Sequence, residues 1–295
     1  MLDDNESRIV DALRRDLRRH PWEAHATDIF GLKQDILYTL ARFREWVRDE
    51  KVPGGLLNFL GNAKIRKEPL GVSLIIGAWN FPFLLLLQPM LAAIAAGCAV
   101  ILKPSELSVH SHELLMEIVP KYLDQSAIRI VSAGPAEMAY ILDHKFEHIF
   151  YTGSSNVARI IAKEAAKYLT PTVLELGGQG PAIITRSADL DLAAKRIASV
   201  KFLNAGQICL STNHAFVPKD LQPLFVDRLK YWFEKFSGPG RSWDELCRIV
   251  NERHFDRISG LLDRSEAKIE YGGTRDRSER FIQPMVLTGV TINGK

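Results

Sequence analysis

The chain has 295 residues, 46% hydrophobic and 25% charged, a balance that fills a core of about two domains and excludes intrinsic disorder and small disulfide scaffolds. Its 38 Lys and Arg against 35 Asp and Glu leave a formal charge of +3, without the clustered basic excess of a nucleic-acid partner. Cys98, Cys209 and Cys247 form no CxxC pair, so neither a disulfide framework nor a metal site is expected, and a reducing compartment fits.

The N-terminal MLDDNESRIVDALRRDL is charged and lacks the apolar core of an export signal. Between about residues 7 and 48, apolar positions recur at helical spacing: Ile9, Leu13 and Leu17, then Leu37, Leu40, Phe43 and Val47. They predict amphipathic helices that pack elsewhere. After a break at Pro53-Gly54-Gly55, apolar strands predicted at 72–78, 99–102, 128–132 and 148–152 alternate with helices at 83–96, 111–123, 136–142 and 156–169. Such alternation predicts an α/β fold with a doubly wound, mostly parallel sheet.

Pro69 to Leu102 carries no charge. Gly77, Trp79-Asn80-Phe81-Pro82 and Gln88-Pro89 interrupt that run, so it reads as buried strand, loop, helix and strand, with no integral membrane segment. Farther on, strands are expected at 172–176, 182–185 and 214–217, with helices at 190–204, 223–236 and 244–264. A second α/β domain therefore begins near Glu175. The final stretch, 281–290, reads as an uncovered strand, which suggests a truncated domain.

Cys209 lies in Asn204-Ala205-Gly206-Gln207-Ile208-Cys209, a glycine-containing loop after an apolar helix, where a thiol is either a small buried group or an exposed nucleophile. Cys98 and Cys247 sit in apolar runs and read as packing. Glu175 ends an apolar strand before Gly177-Gly178, and in a crevice at that strand end such a carboxylate can act as general base. Asn80 follows a strand and offers an amide either to a turn or to an oxyanion. Lys103-Pro104-Ser105-Glu106 directs a lysine and a glutamate to one strand end. Thr152-Gly153-Ser154-Ser155 opens a helix whose amides could receive a phosphate.

In this order the pieces resemble the aldehyde dehydrogenase superfamily, closest to its class 3, fatty aldehyde dehydrogenase-like branch. Leu169-Thr170-Pro171 and Arg280-Phe281-Ile282-Gln283-Pro284 add to that resemblance, which covers about residues 10 to 290. It implies a Rossmann-like dinucleotide-binding domain with N-terminal helices over 1–174 and an incomplete catalytic domain over 175–295. It also implies NAD or NADP as cofactor and an aliphatic medium- or long-chain aldehyde as substrate. By motif position Cys209 would attack the aldehyde, Asn80 with the Cys209 backbone N–H would form the oxyanion hole, and Glu175 would activate water. Lys103 and Glu106 would hold the adenine ribose, Gly153 and Ser154 would flank the pyrophosphate, and Trp79 and Leu176 would line the cofactor site.

The chain departs from the family at Gln179, where the family has lysine, and at Ser155-Asn156-Val157-Ala158, which holds fewer glycines than the branch's phosphate turn. The resemblance further implies a missing first helix, a missing C-terminal Glu-Ile-Phe-Gly-Pro segment, a homodimer for the complete member, and a cytoplasmic place that includes the surface of an intracellular membrane. The alternative expectation is a catalytically impaired fragment that at most binds nucleotide or associates with a full-length relative.

Overall fold

A computed structural model describes residues 1–56, 61–238 and 243–290. In chain order it holds α1 (Glu6–Leu17), α2 (Pro21–Ala24), α3 (Phe30–Trp46), β1 (Glu50–Lys51), β2 (Lys64–Ile65), β3 (Val72–Ile76), α4 (Leu84–Ala95), β4 (Ala99–Lys103) and α5 (Val109–Tyr122). There follow β5 (Ile128–Ile130), α6 (Pro135–Leu142), β6 (His148–Gly153), α7 (Ser155–Ala166), β7 (Thr172–Leu176), β8 (Gly180–Ile183) and α8 (Leu190–Phe202). The last elements are β9 (Thr212–Phe216), α9 (Gln222–Phe236), α10 (Glu252–Asp263), β10 (Lys268–Tyr271), β11 (Arg275–Asp276), β12 (Phe281–Ile282) and β13 (Val286–Thr288).

Two compact units result. One comprises Met1–Glu6, His25–Glu106 and His112–Glu175; the other comprises Ser7–Ala24, Leu107–Ser111 and Leu176–Lys295. The amphipathic α1 thus belongs almost wholly to the second unit, together with α2, whereas α3 belongs to the first. Its Ile9, Leu13 and Leu17 are fully buried, as their spacing of four predicts.

The first unit is built on a five-stranded sheet in the order β5-β4-β3-β6-β7. β3 pairs in parallel with both β4 and β6, with Val72 opposite Ala99 and Ser73 opposite His148. In β3 every residue from Ser73 to Ile76 is buried, the mark of a strand covered on both faces. Each such aliphatic side chain contributes about 1.5–3 kcal/mol by leaving water. Because the chain runs outward from β3 to β5 and returns at β6 on the other side of β3, the carboxyl ends of β3 and β6 mark the switch point at which open α/β sheets hold ligands. Asn80 follows β3, Lys103 ends β4 and Gly153 ends β6. The uncharged run becomes β3, loop, α4 and β4. Among the described residues, no helix is long and apolar enough to cross a membrane.

In the second unit α8 packs on α9. Ala194 and Ala198, fully buried and one turn apart, let Phe225, Leu229 and Phe233 of α9 approach closely, with Ile184 and Val286 completing the cluster. β8 and β9 pair in parallel.

Two expectations fail here. The helix predicted from residue 244 begins at Glu252, where the Asn251 side chain caps it by accepting from His254 N at 2.9 Å. The residues before it instead turn at 244–246 and are then pinned by distant segments, with Arg248 N donating to Leu17 O at 2.7 Å and Ile249 N to Arg280 O at 3.0 Å. The predicted strand 281–290 is two short strands, interrupted over residues 283–285. Neither is uncovered: β12 pairs with β11, β13 pairs with β10, and Val286 is buried.

Candidate active site

The corner at the end of β4 is made by local sequence. Lys103, buried at the last position of β4, forms an ion pair with Glu106 three residues on. Burial raises the Glu106 carboxyl, but the hydrogen bond from Lys103 and one from backbone outweigh it and hold the group below its usual range. His112 Nε2 lies 3.0 Å from Ser132 Oγ. Burial and then the Lys103 charge push His112 below its ordinary value.

At the end of β6, Tyr151 donates its hydroxyl to Ser154 O at 3.3 Å, and burial lifts the phenol above its usual range. Gly153 is required beneath it, since a Cβ there would sit 2.2 Å from the Tyr151 hydroxyl. Ser154 caps α7, its hydroxyl accepting from Val157 N at 3.4 Å. The helix therefore presents its first amides and the positive end of its dipole. Thr152 Oγ1 is buried with no hydrogen-bond partner among the described residues. Asn80 and Trp79 are half-buried beside the buried Phe81 and Pro82. Glu175, at the end of β7, is exposed, as are Gly177 and Gly178 after it, while Leu176 is half-buried.

Cys209 is exposed, whereas Cys98 and Cys247 are buried. Its loop follows α8 through two non-glycine residues in left-handed backbone, Asn204 (φ 50°, ψ 30°) and Ala205 (φ 51°, ψ 34°). Such residues cost about 1–3 kcal/mol each, so the surroundings must impose them. They do. Asn204 N donates to Glu23 Oε1 at 2.6 Å, and Asn204 Oδ1 accepts from Arg19 Nη2 at 2.8 Å. Hydrogen bonds to charged groups contribute about 1.5–3 kcal/mol each, a sum of the same size as the strain.

Gln207 closes the loop from below, donating through Nε2 to Asn204 O and to Arg248 O, both at 3.0 Å, and accepting from Val250 N at 3.1 Å. From the other side comes Gly178. A Cβ at this residue would stand 1.9 Å from the Cys209 carbonyl oxygen, so only glycine lets the Gly177-Gly178 turn run against the nucleophile candidate. Two residues later, Gly180 opens the β8–β9 ladder opposite Thr212. Gln179, where a lysine was expected, accepts from Asn213 Nδ2 at 3.0 Å.

The sequence-predicted residues thus fall in two groups. Asn80, Trp79, Lys103, Glu106, Gly153, Ser154 and Glu175 belong to the first unit, and Cys209 and Leu176 to the second. Within them the structure joins Lys103 to Glu106, Gly153 to the Tyr151–Ser154 turn, and Gly178 to Cys209. Sequence reasoning missed Arg19 and Glu23, whose only sign is a charged pair at a four-residue interval, and Tyr151, which reads as one more aromatic in a strand.

A family model, the aldehyde dehydrogenase family, matches residues 1–295. The dimeric NADP-preferring aldehyde dehydrogenase of Rattus norvegicus is 40% identical over 291 residues, covering 98% of this chain and 64% of that relative. Aldehyde dehydrogenase family 3 member H1 of Arabidopsis thaliana is 43% identical over 296 residues, covering 99% of this chain and 61% of the relative. Among solved structures, the substrate-bound state of AldH from Staphylococcus aureus matches with a TM-score of 0.94 at 33% identity, over 98% of this chain and 64% of that one. The chain therefore spans 61–64% of the length of these relatives.

Proposed function

The chain belongs to the aldehyde dehydrogenase family, and from that premise we propose that it carries the nucleophile and cofactor-binding residues for NAD(P)-dependent oxidation of an aliphatic medium- or long-chain aldehyde to the carboxylic acid. The observation that carries the reading is the Cys209 loop, an exposed thiol on strained backbone with a glycine turn pressed against its carbonyl.

The first unit fits a dinucleotide. Lys103 and Glu106 supply a cation and an acceptor for ribose hydroxyls. The α7 N-terminus with Ser154 offers amides for a pyrophosphate, and the Thr152 hydroxyl adds a buried polar group with no partner among the described residues. When bound, the nicotinamide accepts the hydride that the substrate carbon gives up.

The remaining work falls to the chain. The Cys209 thiolate adds to the carbonyl carbon, forming a C–S bond and moving the π electron pair to oxygen, where the Asn80 amide and the Cys209 N–H donate to the oxyanion. After oxidation the carbon is a thioester. Glu175 takes a proton from water, the hydroxide adds to the thioester carbon, and collapse breaks the C–S bond to release acid and thiolate. The exposed Leu210 beside Cys209 suits an aliphatic substrate. The rat relative is named dimeric and NADP-preferring, and we extend both a dimeric state and use of NADP as well as NAD to this protein. Its free cysteines suit a reducing, cytoplasmic setting, including the surface of an intracellular membrane.

The test is a long-chain aldehyde with NAD or NADP, followed by absorbance and by mass spectrometry of quenched protein. Aldehyde-dependent NADH or NADPH is expected from the parent and lost in Cys209→Ala, and Glu175→Gln is expected to accumulate an acyl adduct on Cys209. Turnover retained by Cys209→Ala, or a parent without turnover and a Glu175→Gln variant without adduct, would overturn the reading.

A further inference from the structure

Arg19 and Glu23 lie in the segment that follows α1, some 180 residues before the Cys209 loop, and their side chains are 0% and 9% exposed. Burying two opposite charges is weak support for stability, because desolvation consumes most of the attraction. What this pair does hold is a backbone. Glu23 Oε1 accepts from Asn204 N at 2.6 Å and lies 3.9 Å from Arg19 Nε, while Arg19 Nη2 donates to Asn204 Oδ1 at 2.8 Å. Asn204 itself is fully buried and left-handed, and Ala205 and Gly206 continue in positive φ.

We propose that Arg19 and Glu23 are positioning residues for Cys209: the buried pair grips both the backbone and the side chain of Asn204, fixes the left-handed run 204–206, and so sets how the thiol leaves the loop. The proposal deepens the reading of Cys209 as nucleophile and rests on it for its functional meaning. Neither charged group touches the sulfur. The effect passes through Asn204, whose carbonyl accepts from both Gln207 N and Gln207 Nε2 at 3.0 Å, and Gln207 stands two residues from Cys209. Without the Glu23 acceptor the buried Asn204 N–H loses its partner in a conformation that only the surroundings maintain. Asn204 would then relax toward right-handed backbone and carry the loop with it.

The pinning can be read without turnover. Hydrogen exchange of the parent chain should show the Asn204 amide protected like those of α9, although it lies outside any regular helix. Exchange at the rate of an open loop would by itself overturn the proposal, whether or not a variant folds. In Glu23→Ala, amides of residues 204–208 should exchange at least about tenfold faster while α9 keeps its protection. Alkylation of Cys209 by iodoacetamide at fixed pH, followed by peptide mass, should change by a similar factor. Glu23→Gln keeps an oxygen for Asn204 N and should recover most of both effects. A folded Glu23→Ala with parental exchange and alkylation would sink the proposal, as would loss of protection spread evenly over α9 and the loop, or a Glu23→Gln no better than Glu23→Ala. These outcomes are separable from failure of the nucleophile reading, which turnover measurements and the acyl adduct on Cys209 decide.

Discussion

Two corners of the molecule hold the residues proposed for its chemistry, and they are held by different means. The Lys103–Glu106 corner is local: a buried strand delivers the lysine, the next turn delivers the glutamate, and three residues separate them. The Cys209 loop is held from far away, by Arg19 and Glu23, by Arg248 and Val250, and by Gly178 pressed against a carbonyl. A corner built by a strand end tolerates change nearby, since the sheet re-creates it. One assembled from distant segments should fail when any of them is disturbed.

The largest effect is expected from Gly178→Ala. The new Cβ would meet Cys209 O at 1.9 Å, a backbone contact that no rotamer relieves, so destabilisation near the top of the range of about 1–3 kcal/mol for overpacking is expected. Gly177→Ala is the control. A Cβ there meets nothing within 4 Å, and a change within about 0.5 kcal/mol is expected. Urea denaturation of both variants checks the contrast; equal effects would mean that the close approach at Gly178 does not exist in solution.

How much of this is legible in the sequence follows the same divide. The central strands β3 and β4 could be read because each is a nearly continuous apolar run, as a strand covered on both faces demands, whereas β5 and β7 carry Arg129 and Glu175 and are marked by their place in the strand-helix alternation. Lys103, Glu106, Gly153 and Ser154 could be placed because strand ends fix them. The region from 244 to 290 could not. Residues 244–250 have helical periodicity, yet their backbone groups are claimed by Leu17 and Arg280, partners that no local pattern announces. Arg19 and Glu23 are invisible for the same reason: at their spacing of four they look like an exposed helical ion pair, and only the fold shows that they are buried against Asn204.

The next effect sharpens the long-range side. Cys247 lies 3.6 Å from Glu23 Oε2, and burial, then the Glu23 charge, push its thiol up from 9.0 to about 12. An unfolded chain ionises this thiol above pH 9 while the folded chain keeps it protonated. The stabilisation is therefore whole below pH 9 and is lost as pH rises toward 12, with a slope of up to about 1.4 kcal/mol per pH unit. Cys247→Ser has no thiol to ionise, so its alkaline limb should be shallower by that slope. Denaturation midpoints between pH 8 and 11 measure it, and parallel limbs would contradict the burial of Cys247 beside a charged Glu23.

The smallest effect belongs to the local corner. Lys103→Met keeps most of the buried stem and removes the ammonium. Glu106, 44% exposed on its side chain, can then be hydrated, so the loss at neutral pH should be about 1 kcal/mol or less. Its pH dependence identifies the cause. Glu106 titrates below its ordinary 4.5 in the folded chain, so the pair's contribution is present above that pH and disappears as pH falls through the folded value. Parent and Lys103→Met should therefore differ in melting temperature at pH 7 and converge toward pH 3. Glu106→Gln should lie with the variant throughout, and combining the two substitutions should add little to either. A gap between parent and Lys103→Met that persists unchanged at pH 3 would assign the effect to packing of the lysine stem. In that case the strand end, without the charge pair, would be what builds this corner.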